Sequence, residues 1–331
     1  MGNSMISVAA YTDAPASGQY PCQLFERGLV PGMQQAGLRA EYIPTRLMGR
    51  ELDDYLDVFC PDYLLYLGTW LPEYAELVRV ARQRKIGMIW WATEDPCAHD
   101  STLADCAYHA DIILTPAIEC VDRYRQHGKT ATLFTFGCNP AYHQPGTLRV
   151  EYDYDWIAPC SYYADHACRR RGFDTVIRPC VDSPYSGFVS GNHWMTPGAG
   201  QYFTKRDVRR NWIPCAEMPD IYASAKINIG LQCDDTSMTQ TSMRPFEVLS
   251  CGGFLLSQWT PAMDALFEDR VHLLLSRSAD ETRTILDYYL AHDDDRAQIA
   301  RQGQAFVREH YTYARMVRDR LIPLLKGHAS S

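Results

Sequence analysis

Short apolar runs alternate with amphipathic stretches through the first 140 residues, and this alternation restricts the fold more than any other feature. The strand-like runs are MISVAAY (5–11), AEYIPT (40–45), YLLYLG (63–68), IGMIWWA (86–92), DIILT (111–115) and TATLFTF (130–136). Helix-like stretches lie between them at 21–36, 50–58, 72–84, 101–109 and 117–127. Strands apolar on both faces, joined by crossovers long enough for a helix, predict βαβ units and a parallel sheet. GCNPAYHQPG (137–146) has two Gly and two Pro and reads as a linker. Alternation then resumes with DWIAPC (155–160), a polar helix to about residue 171, TVIRPC (175–180), KINIGLQ (226–232), a helix from 244, FLLSQ (254–258) and VHLLLS (271–276). Two long helices follow. The expected architecture is α/β, with two Rossmann-like domains whose parallel sheets face an interdomain cleft. Residues 182–201 are rich in Gly, Ser and Pro and show no period; a loop of about 20 structureless residues in a compact domain is usually functional.

At 331 residues, 46% of them hydrophobic, the chain is long enough to bury two cores. A net charge of −8 argues against a protein whose main task is gripping nucleic acid. The 12 cysteines are scattered, several in apolar runs, which predicts reduced thiols and not a disulfide framework. The first residues, MGNSMISVAAYTDAP, lack a basic leader with an apolar core, and no apolar run approaches about 18 residues. A cytoplasmic protein without a transmembrane segment is expected.

TSMRPFEVLSCGGFLLSQ (241–258) concentrates chemistry at a helix start. Pro245 suits the first helical position, which makes Glu247 the third, where a carboxylate commonly reaches back to cap the helix. The same geometry suits a ligand. Helix-start N–H groups with the Arg244 fork would hold a phosphate, and Glu247 could accept both hydroxyls of a ribose. Gly252 and Gly253 end the helix and admit the next strand closely. The residues alone leave both readings open.

The run PDIYASAKINIGLQCDDTSMTQTSMRPFEVLSCGGFLL, with TPAMDALFEDRVHLLLS and DYYLAHDDDRAQIARQGQAFVREHYTYARM after it, resembles the C-terminal half of CgeB-type spore maturation glycosyltransferases. WWATEDPCAHD, DIILTPAIECVDRYRQHG and FGCNPAYHQPG follow that family's order of landmarks, so the resemblance spans about 85–330. It implies a GT-B fold with a glycosyl transferases group 1-like C-terminal domain and sugar transfer from a nucleotide-diphosphate sugar, a UDP-sugar first. It implies an acceptor-side domain at 1–143, a donor-side domain at 144–305, and a C-terminal helix at 306–331 packing back on the first domain. Glu247 then takes the place of the acid that binds the donor ribose, and Thr241, Ser242 and Arg244 fall where the diphosphate is held. Many retaining GT-B enzymes carry a second Glu eight residues earlier, whereas residue 239 here is Thr.

Three further groups complete the expected site. In YFTKRDVRRNWIP (202–214), Lys205, Arg206 and Arg210 supply cations for the leaving diphosphate, on which charge builds as the glycosidic bond breaks. Glu94 and Asp95, after the fourth strand, are the catalytic candidates, either one acting as base on an acceptor hydroxyl. Gly18, in ASGQYP (16–21), would let backbone N–H groups approach the donor. The run CRRRG (168–172) reads as an exposed helix end. No metal and no cofactor are expected: Cys97, His99, Cys106 and His109 depart from zinc spacings, and the DYD at 153–155 precedes a strand. No GxSxG or GxxxxGK[ST] occurs. The acceptor is a small molecule, a glycan or a protein, with modified nucleic acid disfavoured by the net charge. A nucleotide-sugar epimerase of the same fold and a non-catalytic spore-coat or assembly protein are the alternatives.

Overall fold

The computed structural model describes residues 5–12, 24–43, 47–67, 72–102, 106–164, 166–195, 200, 203, 208–209 and 213–328. The chain divides into two compact units, Met1–Thr135 with Thr312–Ser331, and Phe136–Tyr311.

In the first unit the strands are β1 (Ser7–Thr12), β2 (Arg39–Tyr42), β3 (Tyr63–Leu67), β4 (Gly87–Trp91), β5 (Ile112–Thr115) and β6 (Thr130–Leu133). They form a parallel sheet in the order β2-β1-β3-β4-β5-β6. All six expected strands are present, with ends shifted by a few residues. Every residue of β1, β3 and β5 is buried, as strands covered on both faces require. One core holds Tyr11, Tyr66, Tyr74, Trp90 and Tyr124 with the aliphatic side chains of the covering helices.

The returning segment seals this unit. A Cβ on Gly28 or Gly32 would stand 2.7 or 2.6 Å from Tyr313, so only glycine lets that ring in. Tyr63 Oη donates to the Leu325 carbonyl at 3.1 Å, and Thr135 Oγ1 approaches Met316 Sδ at 3.4 Å. The return begins at Thr312, whose hydroxyl caps the next helix by accepting from Arg315 N–H at 3.2 Å. The boundaries thus fall at 135/136 and 311/312, where 143/144 and 305/306 were expected.

In the second unit the strands are β7 (Trp156–Pro159), β8 (Gly187–Ser190), β9 (Val208–Arg209), β10 (Ile227–Gly230), β11 (Leu255–Gln258) and β12 (Leu274–Ser276). The parallel order is β12-β11-β10-β7-β8-β9. The chain starts in the middle, winds outward to β9, then crosses back to lay β10 on the other side of β7. That reversal is the switch point at which open α/β sheets bind ligands, beyond the strands' carboxyl ends.

Two expectations fail here. TVIRPC is not a strand: Phe173–Ile177 and Arg178–Val181 continue the helix Ala167–Gly172. Phe173, Val176, Ile177 and Cys180 are all buried, at helical spacing. The strand lies inside the aperiodic segment, as GFVS. Gly187 opens it because the Trp156 indole stands 2.2 Å from where a Cβ would be.

Candidate active site

Beyond β10 the chain meets Gln232, fully buried. Its backbone N–H donates to Gln258 Oε1 at 3.1 Å, its Nε2 donates to Ser257 Oγ at 3.0 Å, and its Oε1 accepts from Ser242 N–H at 2.7 Å. One side chain thereby pins both ends of the loop 233–242 to β11. Inside the loop, Asp234 Oδ1 accepts from Thr236 and Ser237 N–H at 2.8 and 2.6 Å. Ser237 Oγ accepts from Thr239 and Gln240 N–H at 3.2 and 3.0 Å. Short polar side chains next to the backbone favour such turns over helix or strand.

The loop delivers the chain to the helix Arg244–Ser250, seven residues long. Its N-cap is Met243, with no side-chain cap, so Glu247 is the fourth helical residue and not the third. The capping expectation is corrected: Glu247 Oε2 instead accepts from Arg244 Nη1 at 2.9 Å and from Tyr222 Oη at 3.2 Å. Arg244 Nη1 also donates to Tyr222 Oη, closing a three-membered cluster. The other carboxylate oxygen, Oε1, lies 3.9 Å from His143 Nε2, beyond hydrogen-bond range. His143 Nδ1 accepts from Asn139 N–H at 2.9 Å, which leaves the ring proton on Nε2. Burial, then the charges of Arg244 and Arg308, lower His143 to about 4, so it is neutral at pH 7. Burial raises the Glu247 carboxyl, and Arg244 and Tyr222 pull it back.

Several buried polar atoms nearby have no hydrogen-bond partner: Gln240 Oε1, Thr241 Oγ1, Ser242 Oγ and Arg244 Nε. Leaving a buried polar atom unpaired costs about 1–3 kcal/mol. Four such atoms within five residues call for an explanation, since buried polar groups are normally paired.

Arg169 was missed at the sequence level. It is 6% exposed, not at a solvated helix end. Its Nη1 donates to the Ser161 carbonyl just past β7, and its Nη2 to Cys233 Sγ just past β10, each at 3.0 Å. Nε has no partner. A guanidinium therefore sits at the switch point between a carbonyl and a sulfur, with no carboxylate among the described residues bonded to it. A signal was available: Arg169, Phe173, Val176 and Cys180 share one helical face.

In the first unit the two carboxylates after β4 part company. Glu94 is exposed. Asp95 is 1% exposed, accepting from Thr115 Oγ1 at 2.7 Å and from Tyr124 Oη at 2.9 and 3.1 Å. Burial raises its carboxyl, opposed by those hydroxyls and by His99. Asp95 is thus a buried structural hub and not a base open to an acceptor. Gly18, Lys205, Arg206 and Arg210 lie outside the described residues. Cys97, His99, Cys106 and His109 do not converge: Cys97 is exposed, Cys106 is in the core, and His109 Nδ1 meets Arg82 Nη2 at 2.7 Å. Asp155 of the DYD pairs with Lys226 at 2.7 Å. No disulfide joins the described cysteines to one another. No helix among the described residues is long and apolar enough to cross a membrane.

Residues 183–321 match a family model described as glycosyl transferase-like. No curated protein sequence matches the chain. Among solved structures, sucrose-phosphate synthase from Thermosynechococcus elongatus is 11% identical, with a TM-score of 0.66 over 98% of this chain and 100% of that one. Anabaena HepE in complex with UDP-glucose is 10% identical, with a TM-score of 0.65 over 97% and 100%. A T4 phage BGT mutant in complex with UDP-glucose is 12% identical, with a TM-score of 0.65 over 97% and 99%. With its two parallel six-stranded sheets, the chain has the GT-B glycosyltransferase fold, and its second unit holds most of a glycosyl transferase-like segment.

Proposed function

We propose that this protein is a glycosyltransferase of the CgeB type, moving a sugar from a nucleotide-diphosphate sugar to the hydroxyl of a small molecule, a glycan or a protein. The observation that carries this reading is the buried Glu247–Arg244–Tyr222 cluster beside unpartnered Thr241 and Ser242 hydroxyls. Tyr222 and Arg244 hold one oxygen of Glu247, and Oε1 is left to accept the ribose hydroxyls. Thr241, Ser242 and Arg244 Nε face the diphosphate. Arg169, bonded to no carboxylate among the described residues, supplies positive charge as the nucleoside diphosphate leaves, which is where preorganised donors lower a barrier most. Lys205, Arg206 and Arg210 serve the same charge, and Gly18 lets backbone N–H groups near the donor. Glu94, the exposed member of its pair, is the base for an acceptor hydroxyl. Transfer needs no metal or cofactor at the donor, and the protein works in the cytoplasm. UDP-glucose in two structures of this fold makes UDP-sugars the first donors to try.

A panel of UDP-, GDP-, CDP- and TDP-sugars scored by thermal shift tests this. One donor should raise the melting temperature, since a ligand at about 100 times its Kd stabilises by about 2.7 kcal/mol. Glu247→Ala should lose that shift. A parent that responds to no donor, or a variant that binds the preferred donor as the parent does, defeats the reading.

A further inference from the structure

Inside the first unit, three side chains from separate segments bring a carboxylate, an imidazole and a thiol together. Asp95 follows β4, His99 opens the helix His99–Thr102, and Cys120 lies on the helix Ile118–Gln126. They are 1%, 2% and 0% exposed. One ligand atom from each lies within 4.8 Å of the other two. Independently of that proximity, His99 Nδ1 is buried without a hydrogen bond, and Asp95 Oδ1 stands 3.5 Å from it. A buried imidazole nitrogen 3.5 Å from a carboxylate oxygen, without a hydrogen bond and in one cluster with a thiol, is unexplained by packing alone.

We propose that Asp95, His99 and Cys120 bind one divalent transition-metal ion of the zinc type. The donor set selects the metal class: thiolate and imidazole suit zinc and its neighbours, whereas magnesium and calcium demand oxygen. Charge closes as well, since a divalent ion with one carboxylate, one thiolate and one neutral imidazole sums to zero. A buried site needs that balance. On binding, the Cys120 S–H bond gives up its proton to solvent and the sulfur pair forms the metal bond. Bonds of about 2.0–2.3 Å draw the three atoms roughly 1 Å closer, which side-chain rotation supplies. The carboxylate is already oriented by Tyr124 and Thr115, as outer partners orient ligating groups in metal sites. The ion would tie the turn that carries Glu94 to the helix Ile118–Gln126. None of the donor-binding residues takes part, so the inference does not rest on the glycosyltransferase reading.

Full-length protein, stripped with a chelator, is titrated with Co²⁺ and followed by absorption. The expected result is saturation at one equivalent, with a thiolate-to-cobalt charge-transfer band and visible bands of a four-coordinate ion, one water completing the three protein ligands. Cys120→Ser should remove the charge-transfer band, and Cys97→Ser, at an exposed thiol, should keep it. His99→Gln should weaken binding at least about 100-fold. Tyr124→Phe, which leaves all three ligands, should weaken it about 10-fold. Circular dichroism confirms that each variant is folded, and the parent titration decides the question where one is not. No charge-transfer band in the parent at one equivalent, or a band that survives in Cys120→Ser, overturns the proposal.

Discussion

Two buried carboxylates in this chain each rest against a tyrosine hydroxyl, Asp95 against Tyr124 and Glu247 against Tyr222. Around Asp95 the hydroxyls are spent: Thr115 and Tyr124 both donate to it, and what stays unpaired is a soft donor, the His99 nitrogen. Around Glu247 the surplus is of another kind, two hydroxyls, an amide oxygen and a guanidinium N–H. The tyrosine–carboxylate contact is the same in both, and the leftover atoms differ. Function in such clusters is read from what the chain leaves unpaired, and the chemical type of those atoms selects the partner. Nitrogen and sulfur ask for a metal; hydroxyls and guanidinium ask for sugar and phosphate.

Substitutions can break that contrast, the largest effect first. Arg244→Met strands Glu247 as a buried charge and should cost about 3–5 kcal/mol in urea unfolding. Adding Glu247→Gln should recover most of it, because the two side chains share one interaction. If the single variant is as stable as the parent, the cluster is not the buried pair described here.

His143 gives the second effect. Its pKa falls from 6.5 unfolded to about 4 folded, so between these values the unfolded chain binds the extra proton. The stability from neutral His143 is complete above pH 6.5 and is lost as pH falls toward 4, up to about 3 kcal/mol. Glu247, shifted upward by burial, opposes this from the acid end. His143→Gln should flatten the decline in urea midpoint between pH 7 and 4.5; an unchanged slope places the titration elsewhere.

Smallest and most discriminating is a pair of threonines. Thr115→Val removes a hydroxyl that Asp95 uses and should destabilise by about 1–3 kcal/mol. Thr241→Val removes one that nothing in the chain uses, so the variant should be at least as stable as the parent and up to about 1–3 kcal/mol more so. Donor affinity should fall about 10-fold. Equal stability losses at the two positions would erase the distinction between a spent hydroxyl and a surplus one.

Much of this was legible in the sequence because it rests on local pattern. The six strands of the first sheet announce themselves as short apolar runs, and RPFE marks a helix start with Arg244 and Glu247 one turn apart. What escaped depends on distant partners. Capping stayed open for Glu247 because Tyr222, one of its two actual partners, is 25 residues away in the chain. Asp95 was read as open because the tyrosine that buries it lies 29 residues on. Arg169 looked solvated among three arginines, although the period linking it to Phe173 and Val176 was present. TVIRPC misled through its three β-branched residues, Thr175, Val176 and Ile177, while the four-residue strand GFVS was too short for alternation to register.

The return of Thr312–Ser331 to the first unit has a consequence for how the molecule is made. In order of synthesis, Gly28 and Gly32 come before the second unit, yet the ring that covers them, Tyr313, arrives only after all of it. The second unit is one unbroken length of chain and has all its parts before the first does. Throughout that interval the earlier-made half is an unfinished container waiting for its lid, and a ribosome that stalls near residue 311 releases a protein whose later half is complete and whose earlier half is not.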